Sequence, residues 1–331
     1  MLEWFQCPDK QLIPVKDCFT KCRLLIDCSL CGSDGRSKPT LAEPNGVEVG
    51  CIRCGSAGKV QNRCEPLPYL HLAAAEREWT GTPSTTQLLN GTMMSFLKIT
   101  KPYAIDPDGM AFAIHGTLAH TQLEEKAREL GMVAEVSATL DGRNVADLIE
   151  KDNGDVILTD YKTWGSFRVA KALGIVEAGK KPDPSGEVYK SSGKWGKAGS
   201  PKMVSVFQQV SSESDNYEAE LQLNRYRIML AKLEINITRM RVHAIVRDGG
   251  LAVAKSRGVD RNTYLIPIKE WDNNIVEAYF EKKETDLKAA LKLGDWHESC
   301  DNRECWDGVR CREYCEVAIY CPKGIIEKGG K

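Results

Sequence analysis

The sequence predicts an α/β protein with a metal-stapled, cysteine-rich module at its start and a second cysteine cluster at its end. Three observations carry this. Helical periodicity runs through residues 69–130 and again through 218–233, and between them three short apolar runs are joined by glycine-containing turns. The thirteen cysteines of the 331-residue chain sit only at its two ends, eight between Cys7 and Cys64 and five between Cys300 and Cys321, whereas core cysteines would scatter.

Composition bounds the rest. At 42% hydrophobic residues the chain can bury a real core. No run approaches the roughly eighteen apolar residues of a membrane span, and MLEWFQCPDK has neither a basic head nor an apolar signal core, so a cytoplasmic setting is expected. In a reducing compartment so many cysteines point to metal rather than to disulfides. The formal net charge of -1 excludes a chain that is basic overall but not a local patch. Residues 168–202 hold eight basic side chains against three acids, with Tyr189 and Trp195 among them: a nucleic-acid-binding insertion, or a solvated one.

The elements follow in order. Residues 1–66 are rich in Gly and Pro and read as a zinc-binding module. Within them a ribbon over about 26–58 presents Cys28-Ser-Leu-Cys31 and Cys51-Ile-Arg-Cys54, two C-x-x-C knuckles nineteen residues apart, the spacing that offers four thiolates to one tetrahedral ion. Cys7, Cys18, Cys22 and Cys64 bracket the ribbon and would hold a second zinc, unless some are inert buried thiols. LHLAAAEREW, TTQLLNGTMMSFLKI and MAFAIHGTLAHTQLEEKAREL are helical, the last stopping at Gly131. Ser84, Thr85 and Gln87 could touch phosphate, though Ser84 or Thr85 suits a helix cap better. Strands are expected at 132–140, 145–150 and 155–163, then a basic insertion over 165–215, a helix at 218–233, strands at 238–248 and 263–271, and a helix near 272–293.

One strand demands an explanation. GDVILTDYKTW begins as a core strand and ends in Asp160, Tyr161 and Lys162, and charged groups end a core strand where it emerges into a site that uses them. Asp160 and Lys162, at i and i+2, share a face, and antiparallel pairing can bring Asp147 alongside. Two neighbouring carboxylates repel, and a divalent cation is the usual remedy. The lysine would orient a water and hold developing charge. His120, one turn after Gly116, can reach a metal, though a lone helical histidine is more often a packed one. Gln222 and Tyr226 share a helical face. Asp141 and Asp152 suit turns, Glu135 could point into the site but better suits an edge or surface position, Glu124 can orient His120, and His115, His243 and His297 carry no assignment.

In this order, GTLAH, VADLI, TDYKT and QLNRY resemble the PD-(D/E)XK nuclease superfamily, in its RecB-like branch, over roughly residues 84–321. The resemblance implies a restriction-endonuclease-like core, a mixed central sheet flanked by helices, with a Mg²⁺ or Mn²⁺ site that hydrolyses DNA phosphodiesters. Residue by residue, it makes Asp147 and Asp160 metal ligands, with the Tyr161 carbonyl and His120 as further ones. Lys162 becomes the catalytic lysine, with Gln222 and Tyr226 positioning it or touching DNA. The domain would run over 67–331. Cys311, Cys315 and Cys321 are similar to the closing triplet of iron–sulfur RecB-like nucleases such as the CRISPR-associated exonucleases, and with Cys305, or Cys300 in its place, would ligate a [4Fe–4S] cluster. That family draws its first ligand from the N-terminal side, so a zinc ion stays an alternative here. EREWTGTPSTTQLLNG is loosely similar to a segment of phage-encoded members. The implied function is a DNA exonuclease acting in DNA processing, recombination or phage replication. Its partners would be single strands or duplex ends, besides any protein docked on the zinc module or a further copy in an oligomer. The alternative is an idle DNA-binding protein that keeps the fold.

Overall fold

The computed structural model describes residues 1–8, 10–20, 25–31, 51, 54–61, 64–76, 79–139, 142–194 and 196–329. Cys22, Asp141, Trp195 and the ribbon interior 32–50 lie outside the described residues. Two compact units emerge, one of Met1–Gly81, Gly91–Ile114 and Leu287–Lys331, the other of Thr82–Asn90 and His115–Asp286. This division differs from the boundary expected at residue 66, because the C-terminal cysteine segment clusters with the N-terminal residues.

The second unit is built on a mixed sheet flanked by helices. Its strands are β1 (Val133–Ser137), β2 (Val145–Asp152), β3 (Asp155–Trp164), β4 (Arg239–Val246) and β5 (Thr263–Ile268), in the spatial order β5-β4-β3-β2-β1. The pair β3 and β4 is parallel, and the other pairs are antiparallel. The apolar run Val156–Leu158 therefore forms the middle strand, with Ile157 and Leu158 almost wholly buried. One face of the sheet carries Leu158, Met240, Val242, Ala244 and Ile266. It packs against Leu223, Tyr226 and Leu230 of helix α2 (Tyr217–Ala231) and Val169 and Ala172 of helix α1 (Ser166–Leu173). The opposite face is half-open and polar: Arg241 there bonds Thr159 at 2.9 Å and Glu150 at 2.5 Å.

The expected basic insertion has a definite shape. Helix α1 ends at Gly174 in the left-handed region, φ 66°, where a Cβ would stand 2.2 Å from the Val210 carbonyl oxygen, so only glycine fits. Two antiparallel strands, Ile175–Pro182 and Met203–Gln209, then form a ribbon.

In the first unit Leu2–Gln6 lies between Leu12–Pro14 and Tyr103–Ile105, and Leu25–Asp27 pairs with Lys59–Gln61. The helix expected through LHLAAAEREW spans Leu67–Ala73 only. That expected through TTQLLNGTMMSFLKI is two helices, Thr85–Leu89 and Thr92–Thr100. Between them the backbone is extended at Asn90 and Gly91, and a Cβ on Gly91 would come within 2.2 Å of the Cys300 sulfur, so close packing requires glycine there. No helix among the described residues is long and apolar enough to cross a membrane.

Candidate active site and cysteine centres

Strands β2 and β3 are in register through Leu148 and Thr159, which makes Asp147 and Asp160 the next facing pair. There the ladder opens. Asp147 Oδ2 accepts the backbone N–H of Tyr161 at 2.8 Å, so a side chain substitutes for a strand partner. His120, on the helix Ala111–Glu129, places Nδ1 3.4 Å from the same oxygen, is also hydrogen-bonded to the Tyr161 backbone, and meets the Tyr161 ring edge-on. Gly116 gives that helix its close approach: a Cβ would sit 3.3 Å from Thr163 Oγ1.

Lys162 Nζ straddles the Asp160 carboxylate at 2.9 Å from Oδ1 and 2.8 Å from Oδ2, but only the Oδ1 contact has hydrogen-bond geometry. Gln222 spans the pair, donating from Nε2 to Asp160 Oδ1 at 3.0 Å and accepting from Lys162 Nζ at 3.4 Å. Tyr226, one turn on, hydrogen-bonds the Gln222 side chain. The structure therefore brings Asp147, Asp160, Tyr161, Lys162, His120, Gln222 and Tyr226 into one place. Asp160 Oδ2 is buried there without a hydrogen bond.

The electrostatics follow from enclosure. Burial, then the Asp160 charge, pushes the Asp147 carboxyl up to about 7, against the opposing pull of Lys162 and the Tyr161 N–H. Burial alone would lower the Lys162 ammonium, yet Asp160 and Asp147 outweigh it and hold it above its ordinary value. His120 is lowered by burial and by Lys162, which favours the neutral imidazole.

Glu135 lies on the edge strand β1, as the sequence suggests, and is half-buried there. It lies between Ala134 and Val136, which pair with Leu148 and Ala146, so its register partner is Asp147. Its backbone is left-handed, φ 51°, and its charge adds to the rise at Asp147. Alternation along β1 was the only signal in the sequence. Glu124, expected to orient His120, is instead ion-paired with Arg128 on its own helix. Ser84 is a helix cap, in a reciprocal capping box with Gln87, and Thr85 donates its N–H and hydroxyl to Asn144.

Cys28, Cys31, Cys51 and Cys54 bring their sulfurs within 4.8 Å of one another, with Cys28 to Cys51 at 3.6 Å and Cys31 to Cys54 at 3.7 Å. None of the four is in a disulfide, and the first three are buried. Such a group can hold a metal ion. Of the outer four, Cys7 and Cys18 are buried and Cys64 is half-buried, while Cys22 lies outside the described residues. The C-terminal cysteines gather more loosely. The charge of Cys311 is felt with those of Cys305, Cys315 and Cys321, and that of Cys300 with those of Cys315 and Cys321, but no three of these sulfurs converge within 4.8 Å. Burial, then Glu304, pushes the Cys300 thiol up to about 12.

No family model and no curated protein matches the sequence. Among solved structures, the crystal structure of SSO0001 is similar at TM-score 0.37 and 16% identity, over 76% of this chain and 90% of that one, a likeness too slight to carry an argument.

Proposed function

We propose that this chain is a divalent-metal-dependent deoxyribonuclease of the PD-(D/E)XK kind, cleaving DNA phosphodiesters exonucleolytically. The observation that carries the reading is the buried Asp160 Oδ2, which lacks a hydrogen bond beside a second carboxylate and an ammonium group. An oxygen donor set of Asp147, Asp160 and the Tyr161 carbonyl, with the neutral imidazole of His120, fits a hard cation such as Mg²⁺ or Mn²⁺. When bound, that ion supplies Lewis-acid polarisation of the phosphate and lowers the pKa of water.

The chain's own residues do the rest. Gln222 fixes Asp160 and Lys162 relative to each other, so the ammonium is held in place before substrate arrives. Lys162 stays protonated, so it orients the attacking water and neutralises charge growing on the phosphoryl oxygens; it is no general base. Tyr226 holds Gln222.

The cysteine centres would be of two kinds. Four Zn–S bonds of about 2.3 Å in a tetrahedron set neighbouring sulfurs roughly 3.8 Å apart, close to the two separations at Cys28/Cys51 and Cys31/Cys54. That supports a single zinc ion there, and Cys7, Cys18, Cys22 and Cys64 remain candidates for another. At the C-terminus the electrostatic coupling of Cys311 with Cys305, Cys315 and Cys321 supports these four as the ligands of a [4Fe–4S] cluster, with Cys300 as the alternate ligand.

The test is cleavage of end-labelled single- and double-stranded DNA with Mg²⁺, Mn²⁺ or EDTA, beside Lys162→Ala. Metal-dependent release of nucleotides from ends by the wild type alone is expected. DNA binding with no metal-dependent cleavage would favour the idle DNA-binding protein.

A further inference from the structure

We infer that the ribbon formed by Ile175–Pro182 and Met203–Gln209, with its tip, is an arm that enters the major groove of duplex DNA. The inference rests on the nuclease reading for its choice of partner. The arm leaves the sheet through helix α1, which begins two residues after the central strand ends at Trp164. Its base is locked. Val210 N–H bonds the Gly174 carbonyl at 2.8 Å, and a Cβ on Gly258 would strike Phe207 at 2.6 Å and Ile175 at 2.7 Å.

Beyond that base no residue of the two strands is fully buried. Every residue from Glu177 to Pro182 is exposed and the facing residues 204–207 are half-buried, so a packed core does not explain its form. Yet it keeps a definite shape. Asp183 N–H bonds the Lys202 carbonyl at 2.8 Å, Lys202 N–H that of Glu187 at 2.8 Å, and Tyr189 N–H that of Ser200 at 2.9 Å. The Tyr189 ring lies on Gly196, where a Cβ would be 2.4 Å away. A projection pre-shaped without a core is suited to contact with something outside the chain.

Charge indicates what. Residues 175–209 carry six lysines and three acids, a net of +3 in a chain of formal charge -1. Glu187 is taken by Lys202, whereas Lys180, Lys181, Lys190 and Lys197 are exposed and form no ion pair among the described residues. Lys180 and Lys181, adjacent on one strand, point to opposite faces, so the arm is positive on both sides. A two-stranded ribbon fits the major groove of B-form DNA, where both faces meet the bordering phosphates.

The experiment is a KCl series of anisotropy titrations in EDTA, with the full chain, a labelled duplex and a single strand of equal length. The variant carries Lys180→Gln, Lys181→Gln, Lys190→Gln and Lys197→Gln; an unchanged melting temperature shows that it folds. Each phosphate contact contributes about 0.9 to the slope of log affinity against log salt on duplex DNA and about 0.7 on a single strand, so the variant's duplex slope should shrink by about 3 to 4, and the single-strand slope by about 1 or less. An unchanged duplex slope overturns the arm, and so does a single-strand fall of about 3, because the same contacts would then be made without a groove. The same DNA is incubated with wild type and Mg²⁺ or Mn²⁺. Absence of cleavage with the arm's slope effect intact sinks the nuclease reading alone, and cleavage with no slope effect sinks the arm alone.

Discussion

Asp147 accepts the backbone N–H of Tyr161 at 2.8 Å, so the carboxylate that opens the β2–β3 ladder is fastened to the residue between Asp160 and Lys162. This one bond fixes the register of the site, because it ties the second carboxylate to the strand that carries the first. Asp147→Ala should therefore free that amide as well as remove a ligand. Cleavage is expected to fall about 10²-fold or more. Asp147→Asn, whose amide oxygen can still accept the Tyr161 N–H, should melt no lower than the wild type while losing activity. Equal activity of either variant and the wild type on labelled DNA would refute the role.

Gln222 is the bridge between Asp160 and Lys162. Gln222→Leu leaves Asp160 Oδ1 with one partner fewer in a buried setting and should cost about 1–3 kcal/mol in urea unfolding. Cleavage should drop roughly tenfold or more through kcat, since the lysine loses its guide. A variant with wild-type kcat would show that the amide is only structural.

The raised Asp147 carboxyl makes a pH prediction with a definite sign. Its value is about 7 in the folded protein against 3.8 as the ordinary one, so the folded state binds the extra proton. In metal-free protein its contribution is fully present below about pH 4 and is lost as pH rises through 7. Comparing melting temperatures across that window, Asp147→Asn should flatten this part of the decline. Saturating Mg²⁺ should also oppose it by favouring the carboxylate. A wild-type profile matching that of the variant in EDTA would contradict the shift.

If the four-cysteine group holds a zinc ion, its removal should loosen the knuckles, because the ion would tie together two segments distant in sequence. Cys51→Ser is expected to bind one zinc fewer per chain by elemental analysis and to melt at lower temperature. Unaltered zinc content would exclude this group as the site.

Gly91→Ala tests the other end of the chain. The added methyl would overlap the Cys300 sulfur and its Cβ, at 2.2 and 2.9 Å. A loss of about 1–3 kcal/mol is expected from such overpacking. If the C-terminal cysteines hold iron and sulfide, the iron per chain should fall as well. A fully stable variant would mean that Cys300 moves aside without cost.

Much of this was legible in the sequence where the physics is local. The run Val156–Leu158 marks a middle strand by being apolar on both faces, and the i, i+2 spacing of Asp160 and Lys162 puts them together whatever lies around them. Gln222 and Tyr226 were readable as one helical face, and Ser84 as one of two candidate helix caps, though not the part that Gln87 plays in the cap. What stayed hidden depends on contacts distant in sequence. The opening of the ladder at Asp147 follows from which atom the Tyr161 amide finds. The position of Glu135 needs a left-handed φ that a glutamate does not advertise. The need for glycine at Gly91 is set by a sulfur more than two hundred residues away. The ribbon was masked because its lysines dominate its composition and its strands lack an alternating apolar face.

The two neighbours of the central strand differ in how far the chain must travel to reach them. Asp147, Asp160 and Lys162 belong to one hairpin, whereas Ile157 finds Arg239 of β4 only after an excursion of 82 residues. Closing the short loop costs little entropy and closing the long one more, so the acids and the lysine should meet early in folding, with Gln222 arriving on its helix later. A chain stalled between those stages would hold crowded negative charge without its latch. Divalent ions should then hasten refolding as well as stabilise its end point.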